Sequence, residues 1–212
     1  MIGRALTPTE AREHSLAVMK ARGLKLPPPS LPLRDRAKVR PAGEVVSRAL
    51  ALNTLVHIHH GAPPAESRQW AEDHGRLHGL TASEMAYLRG DAADRAEMSW
   101  RVETLYVLAW ALGLDARLDP WSPYDEKTAD FFPTPIRDRD LKPFTQRYTL
   151  RSPDEIFAEA DLYQCLDWLV IEQGLDRVRA LPEAVAMTIH ARRPALEWLT
   201  SDKAWDEVPM DT

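Results

Sequence analysis

Residues 99–113, SWRVETLYVLAWALG, constrain the fold more than any other stretch of this chain. From Val102 onward the only plainly polar side chains are Glu103 and Thr104, so a helix here is apolar nearly all the way round and belongs inside the fold. Gly113 supplies the stop signal. The lead-in, opening at Asp91 or Asp94, alternates charge through Arg95, Glu97 and Arg101. Other helices must pack around such a rod, and the rest of the chain is rich in helix signals.

Thr7-Pro8-Thr9-Glu10 combines a capping threonine, a proline suited to the first helical position and a capping-box glutamate, and this helix should end at Gly23. The stretch LKLPPPSLPL then forbids helix and predicts an extended arm laid over the body, with docking of a partner as the alternative. A second helix starts near Pro41, carries Val45, Ala49, Leu52 and Val56, and finishes in His57-Ile58-His59-His60-Gly61. Pro63 and Pro64 open a third through Trp70, and Thr81 with Glu84 forms a capping box for a short helix ending at Gly90. Ser152-Pro153-Asp154-Glu155 is the strongest start, opening a two-sided buried helix to Gly174. The last helical stretch begins near Pro182, and Pro194 should kink or split it.

Between residues 114 and 150 the periodicity dissolves among Pro120, Pro123, Pro133, Pro135 and Pro143, while Trp121, Tyr124, Phe131, Phe132 and Phe144 offer apolar anchors. Short helical turns pinned by those aromatics are expected. Residues 147–151, RYTLR, are the one strand candidate. The fold class is therefore mostly α: a single globular helical domain over 1–212, with a central buried helix and an irregular Pro- and aromatic-rich excursion. Its parts are an N-terminal helix and arm over 1–40, a first helical half over 41–113, the excursion over 114–150, and a second helical half over 151–212 whose WDEVPMDT tail docks against the body through Trp205.

A net charge of -5 argues against a non-specific nucleic-acid or membrane-surface binder and leaves room for a basic protein partner. A single cysteine, Cys165, allows neither an intramolecular disulfide nor a thiolate zinc cluster, and its apolar helical setting points to inert packing. Neither a leader nor a membrane-spanning segment is apparent, so the cytoplasm is the expected location. Nothing calls for a cofactor: phosphate-binding, hydrolase and zinc-protease motifs are missing.

Chemistry is sought where charge interrupts buried stripes. Trp100, Glu103, Val107 and Trp110 share one face of the central helix, and Met98, Arg101, Leu105, Leu108 and Leu112 another. A buried ion is costly unless paired, so Glu103 and Arg101 need partners. Asp161 and Asp167 interrupt the helix after Ser152, and Arg192 interrupts the last apolar stripe. A polar network joining three helices is expected. In its functional version Glu103 and Asp161 act as a general acid/base pair, with Arg101, Arg192, Trp100 and Asp167 holding a ligand; in its structural version the same residues fix helix register. His57 and His60, three apart, are a weaker metal alternative, as are His74 and His78, but no carboxylate spacing completes a site.

SWRVETLYVLAWALG, LRSPDEIFAEADLYQCLDWLV, ARRPALEWL and WDEVPMDT, in that order, resemble the bacterial family described as domain of unknown function 4272. The resemblance covers residues 12–212 and is carried most specifically by Trp100 to Glu103, Asp161-Leu162, Arg192-Arg193 with Trp198, Trp205-Asp206 and Asp211-Thr212. The chain departs from the pattern at Ala191, where the family has an acidic residue, and at Pro194. The resemblance implies a cytoplasmic, mostly helical protein and supplies no activity. Three functions are expected in descending order: a non-enzymatic interaction domain, such as an immunity or accessory factor; an enzyme or small-ligand binder using the Arg/Glu/Asp cluster; and a histidine metal site.

Overall fold

In the computed structural model the described residues are 4–36, 38–91, 95–124, 126–135, 137–176, 181–208 and 210. Asp94, Asp211 and Thr212, singled out in the sequence, lie outside them. The architecture is mostly α, and the described residues contain no strand. The chain gathers into two compact units, each assembled from separate pieces of sequence: the first from residues 1–40, 119–123 and 151–212, the second from 41–118 and 124–150.

In the first unit, α1 (Pro8–Ala21) is opened by the expected reciprocal capping box between Thr7 and Glu10. It packs on α8 (Pro153–Asp176), which packs in turn on α9 (Glu183–Leu199). The core between them holds Ala11, Met19, Ile156, Tyr163, Leu166 and Ile189, all fully buried. At the head of α8, Ser152 Oγ accepts from the Glu155 amide at 3.3 Å while Glu155 Oε2 accepts from the Ser152 amide at 3.0 Å. The helix passes through Gly174 instead of stopping there, because a glycine ends a helix only where the next backbone turns left-handed. Of the kink or split expected at Pro194, the split does not occur, and α9 runs on through it. The proline removes one backbone donor, but Ile189 and Leu196 on either side are buried, and their packing offsets a cost of about 3 kcal/mol. The proline-rich arm is stitched down as anticipated, with Leu31 buried at a turn that closes from its amide to the Pro28 carbonyl at 2.9 Å. Trp205 docks on Trp198 with the rings tilted and their centroids 5.5 Å apart.

In the second unit, α2 (Ala42–His59) is followed by α3 (Pro64–Asp73), α4 (Ala82–Arg89), α5 (Arg95–Ser99), α6 (Arg101–Ala111) and the short α7 (Lys142–Thr145). The oily rod is α6, and every residue from Val102 to Ala111 is buried. It packs chiefly on α2, whose residues from Ala49 to Val56 are also all buried. The central helix is broken where the sequence predicts continuity. At Trp100 the bonding tightens to three-residue steps, Trp100 N to Glu97 O and Glu103 N to Trp100 O, beside a Ser99 hydroxyl that donates to the Ala96 carbonyl at 2.6 Å. Such a side-chain bond competes with the regular ladder. Trp100 is consequently 38% exposed, not on a buried stripe.

Past α6 the chain turns at Gly113, whose φ of +69° suits glycine, and a Cβ there would meet the Thr149 carbonyl oxygen at 2.7 Å. Thr149 passes so closely because its amide donates to Leu112 O at 3.0 Å; residues 147–151 form no strand. The excursion contains a 3-10 turn over Glu126–Phe131 and α7, with Phe132 and Phe144 buried as anchors. Side chains of α2 and α3 hold it by its carbonyls: Asn53 donates to Pro133 O and the Trp70 indole to Asp138 O, both at 2.8 Å.

Candidate functional site

The second unit contains a buried charge cluster centred on Glu84 of α4. Glu84 is fully buried and caps its own helix, Oε2 accepting from the Thr81 amide at 3.0 Å. Arg48 of α2, only 3% exposed, meets both of its oxygens, at 2.7 and 2.8 Å. Arg101 approaches Oε1 at 3.0 Å and Glu97 at 2.9 Å. Glu84 thus meets two guanidiniums, with Glu97 as the second carboxylate of the cluster, and ties α2, α4 and α6 together. Glu103 is 1% exposed and accepts from the Tyr124 amide at 3.1 Å, which anchors the start of the excursion.

The first unit contains three clusters. Asp161, 1% exposed, accepts from Arg12 Nε at 3.2 and 3.1 Å, from Arg12 Nη2 at 3.0 Å and from Ser15 Oγ at 2.7 Å. The same guanidinium donates to Leu31 O at 3.1 Å and Pro32 O at 3.0 Å, so it fastens the arm as well as α8. Asp167 pairs with Arg193, both buried, and with His190 Nδ1 at 3.0 Å. Burial raises the Asp167 carboxyl, but the bonds from His190 and Arg193 outweigh it and leave the group below its ordinary range. His190 moves up, first through its bond with Asp167. Arg192, wholly buried, donates to Asp119 O at 2.6 Å, Ser122 O at 2.9 Å and Tyr163 Oη at 3.2 Å, organising the strip 119–123.

Beside Arg192 sits Glu159, a half-buried carboxyl that periodicity does not single out. Burial pushes it up to about 7 against the pull of Arg151 and Arg192, with Asp119 adding to the rise. Such a group exchanges a proton near neutrality. An acid raised in the folded state holds its proton longer there than in the unfolded chain, so stability falls as pH climbs from the ordinary value of 4.5 to about 7. Glu159→Gln should match the wild type at pH 4 and exceed it by roughly 2 kcal/mol at pH 8 in urea unfolding. Equal stability at both pH values would refute the burial account. Cys165 is inert by the same physics: its buried thiol is pushed up to about 12, first by burial and then by Asp161.

On the surface of the second unit a cleft of about 400 Å³ opens between α3 and the pair Pro135 and Arg139. Glu66, Gln69, Trp70 and Asp73 of α3 form one wall, and Pro135 and Arg139 stand opposite. The spacing 66, 69, 70, 73 places these α3 residues on a single helix face. His74 closes the end, Nδ1 lying 2.7 Å from Trp70 O and Nε2 3.1 Å from Arg139 O, with its ring 4.5 Å from the Trp70 ring.

The histidine alternative at the end of α2 fares differently. His57 and His59 are both lowered, first by burial and then by His60, and the His59 and His60 rings meet edge-on at 5.4 Å. Among the described residues no group of three or more histidine, cysteine or acidic side chains is placed to hold a metal. His57 and His60 therefore have no third protein ligand there.

A family model described as domain of unknown function (DUF4272) matches residues 11–208. The chain belongs to the DUF4272 family. Comparison with curated proteins and with solved structures finds no significant match. Five of the charged positions that carried the DUF4272 resemblance are buried or half-buried side chains with partners: Arg101 beside Glu84, Glu103 on Tyr124, Asp161 on Arg12, Arg192 on the 119–123 strip and Arg193 on Asp167; Asp206 is exposed. Arg12, Arg48 and Glu84 were missed as members of these clusters. Arg48 carries the signal used for Arg101, lying three residues after Val45 and four before Leu52 on a buried stripe. Glu84 was hidden by its capping role. Asp161 and Asp167 join different clusters, so they form no carboxylate pair.

Proposed function

We propose that this DUF4272 chain is a non-enzymatic interaction domain that works in the cytoplasm on a basic protein partner, in the manner of an immunity or accessory factor. The observation that carries the reading is the fate of the interior charges: Glu84, Asp161, Asp167, Arg192 and Arg193 are at most 1% exposed and hydrogen-bonded to other side chains or to backbone. Groups held this way fix helix register and have no face to offer a substrate. The charges left for a partner are on the outside of a chain whose net charge is -5 overall. No helix among the described residues is long and apolar enough to cross a membrane.

The test is recovery of the full chain from its native host at low salt, identification of what accompanies it, and calorimetry with the purified pair. One basic protein should return reproducibly, with affinity falling about tenfold or more between roughly 50 and 500 mM salt. No reproducible partner, or binding indifferent to salt, would overturn the proposal.

A further inference from the structure

We propose that the cleft between α3 and the pair Pro135 and Arg139 is the pocket that takes an arginine or lysine side chain of the partner, with Glu66 and Asp73 receiving the cation and Arg139 receiving a main-chain carbonyl of the same segment. The inference rests on the interaction-domain reading and gives it a place and a chemistry.

Three observations carry it. The first is unspent charge of both signs around one cavity. Several acids and bases of this unit pair, as in the Glu84 cluster or the exposed Arg68–Glu72 bridge of α3 itself. Glu66 and Arg139 line the cleft, both exposed, and neither makes an ion pair or side-chain hydrogen bond with another described residue. Asp73 is aimed by Gln69, whose Nε2 donates to Oδ1 at 2.8 Å, which leaves Oδ2 open. The second is the wall between the carboxylates. Trp70 sits between Glu66 and Asp73 on the α3 face, fixed by its indole bond to Asp138 O, and aromatic surface beside carboxylates favours a guanidinium or ammonium with an apolar stem. The third is size and rigidity. About 400 Å³ falls in the range of roughly 300–1,000 Å³ typical of ligand pockets, and the opposite wall is pinned to α2 and α3 through the Pro133 and Asp138 carbonyls. A partly formed pocket of this kind loses little entropy on filling.

A bare cation would satisfy the α3 wall and face Arg139 with nothing to offer it. A residue within a peptide brings both signs, a positive side chain and carbonyl acceptors, and so matches both walls. A neutral side chain of the same shape would leave the two carboxylates without a counter-charge.

The test uses the full chain, isotope-labelled, titrated with acetyl-Gly-Arg-Gly-amide and with the peptide in which neutral citrulline replaces arginine. The Trp70 indole resonance should shift saturably with the arginine peptide, and about tenfold or more weakly with citrulline. The double variant Glu66→Gln/Asp73→Asn should lose the arginine response with an unchanged melting temperature, since both side chains are exposed and the new amide oxygen can still accept from Gln69. Equal responses to the two peptides, no response, or a response that survives the double variant would overturn the pocket. The wild type and double variant are also compared against the co-purified basic protein. A partner that binds both equally sinks the cleft and leaves the interaction reading standing, whereas peptide binding with no reproducible partner does the reverse.

Discussion

Glu84→Gln costs about 3–5 kcal/mol of unfolding free energy, measured as a drop in the urea midpoint at constant m-value. Glutamine preserves the shape and can still cap α4, so the loss isolates charge. The Arg48 guanidinium, 3% exposed, then loses both carboxylate oxygens it meets, and Arg101 keeps its bridge to Glu97. Against a typical total of about 5–15 kcal/mol, such a loss brings the second unit close to melting at ambient temperature. The double variant Arg48→Met/Glu84→Leu should recover most of it, because a buried ion pair exchanged for apolar side chains of similar volume is often neutral or stabilising. A single variant as stable as wild type would show that Glu84 is not sealed as described.

The second large effect is at Asp161. Asp161→Ala leaves the Arg12 guanidinium, 8% exposed, with only the Leu31 and Pro32 carbonyls and Gln164, and should cost about 3–4 kcal/mol. The companion variant Arg12→Met/Asp161→Leu separates two roles of the same arginine. Stability should recover, since no unpaired charge stays inside, yet the arm loses its anchors at Leu31 and Pro32. Limited proteolysis across residues 24–36 should therefore be faster in the double variant than in wild type despite similar unfolding curves. If the arm is protected equally in both, Leu31 burial and the outer ties of Arg34 to Glu197 and Arg36 to Asp154 suffice to hold it.

Helix starts and the central rod were readable because they rest on local chemistry. Thr7 with Glu10, Thr81 with Glu84 and Ser152 with Glu155 are reciprocal caps within one turn, and the structure contains each of them. The apolar run from Val102 to Ala111 could only be buried. Locality also explains the misses: the break at Trp100 comes from a serine hydroxyl turning back on the ladder, and Pro194 is tolerated because of packing from elsewhere in its unit.

Residue order and side-chain chemistry by themselves decided that this chain is helical, where most helices begin, and that Arg101, Glu103, Asp161, Asp167 and Arg192 would need partners. Only tertiary structure decided who those partners are. Arg12 lies 149 positions from Asp161, and Arg48 lies 36 from Glu84. Periodicity tells which face a charge is on and that desolvation makes isolation costly. It carries no information about which distant helix is brought alongside, and the same limit hid the cleft, since Glu66, Asp73 and Arg139 share a cavity only after Pro133 and Asp138 are drawn onto α2 and α3.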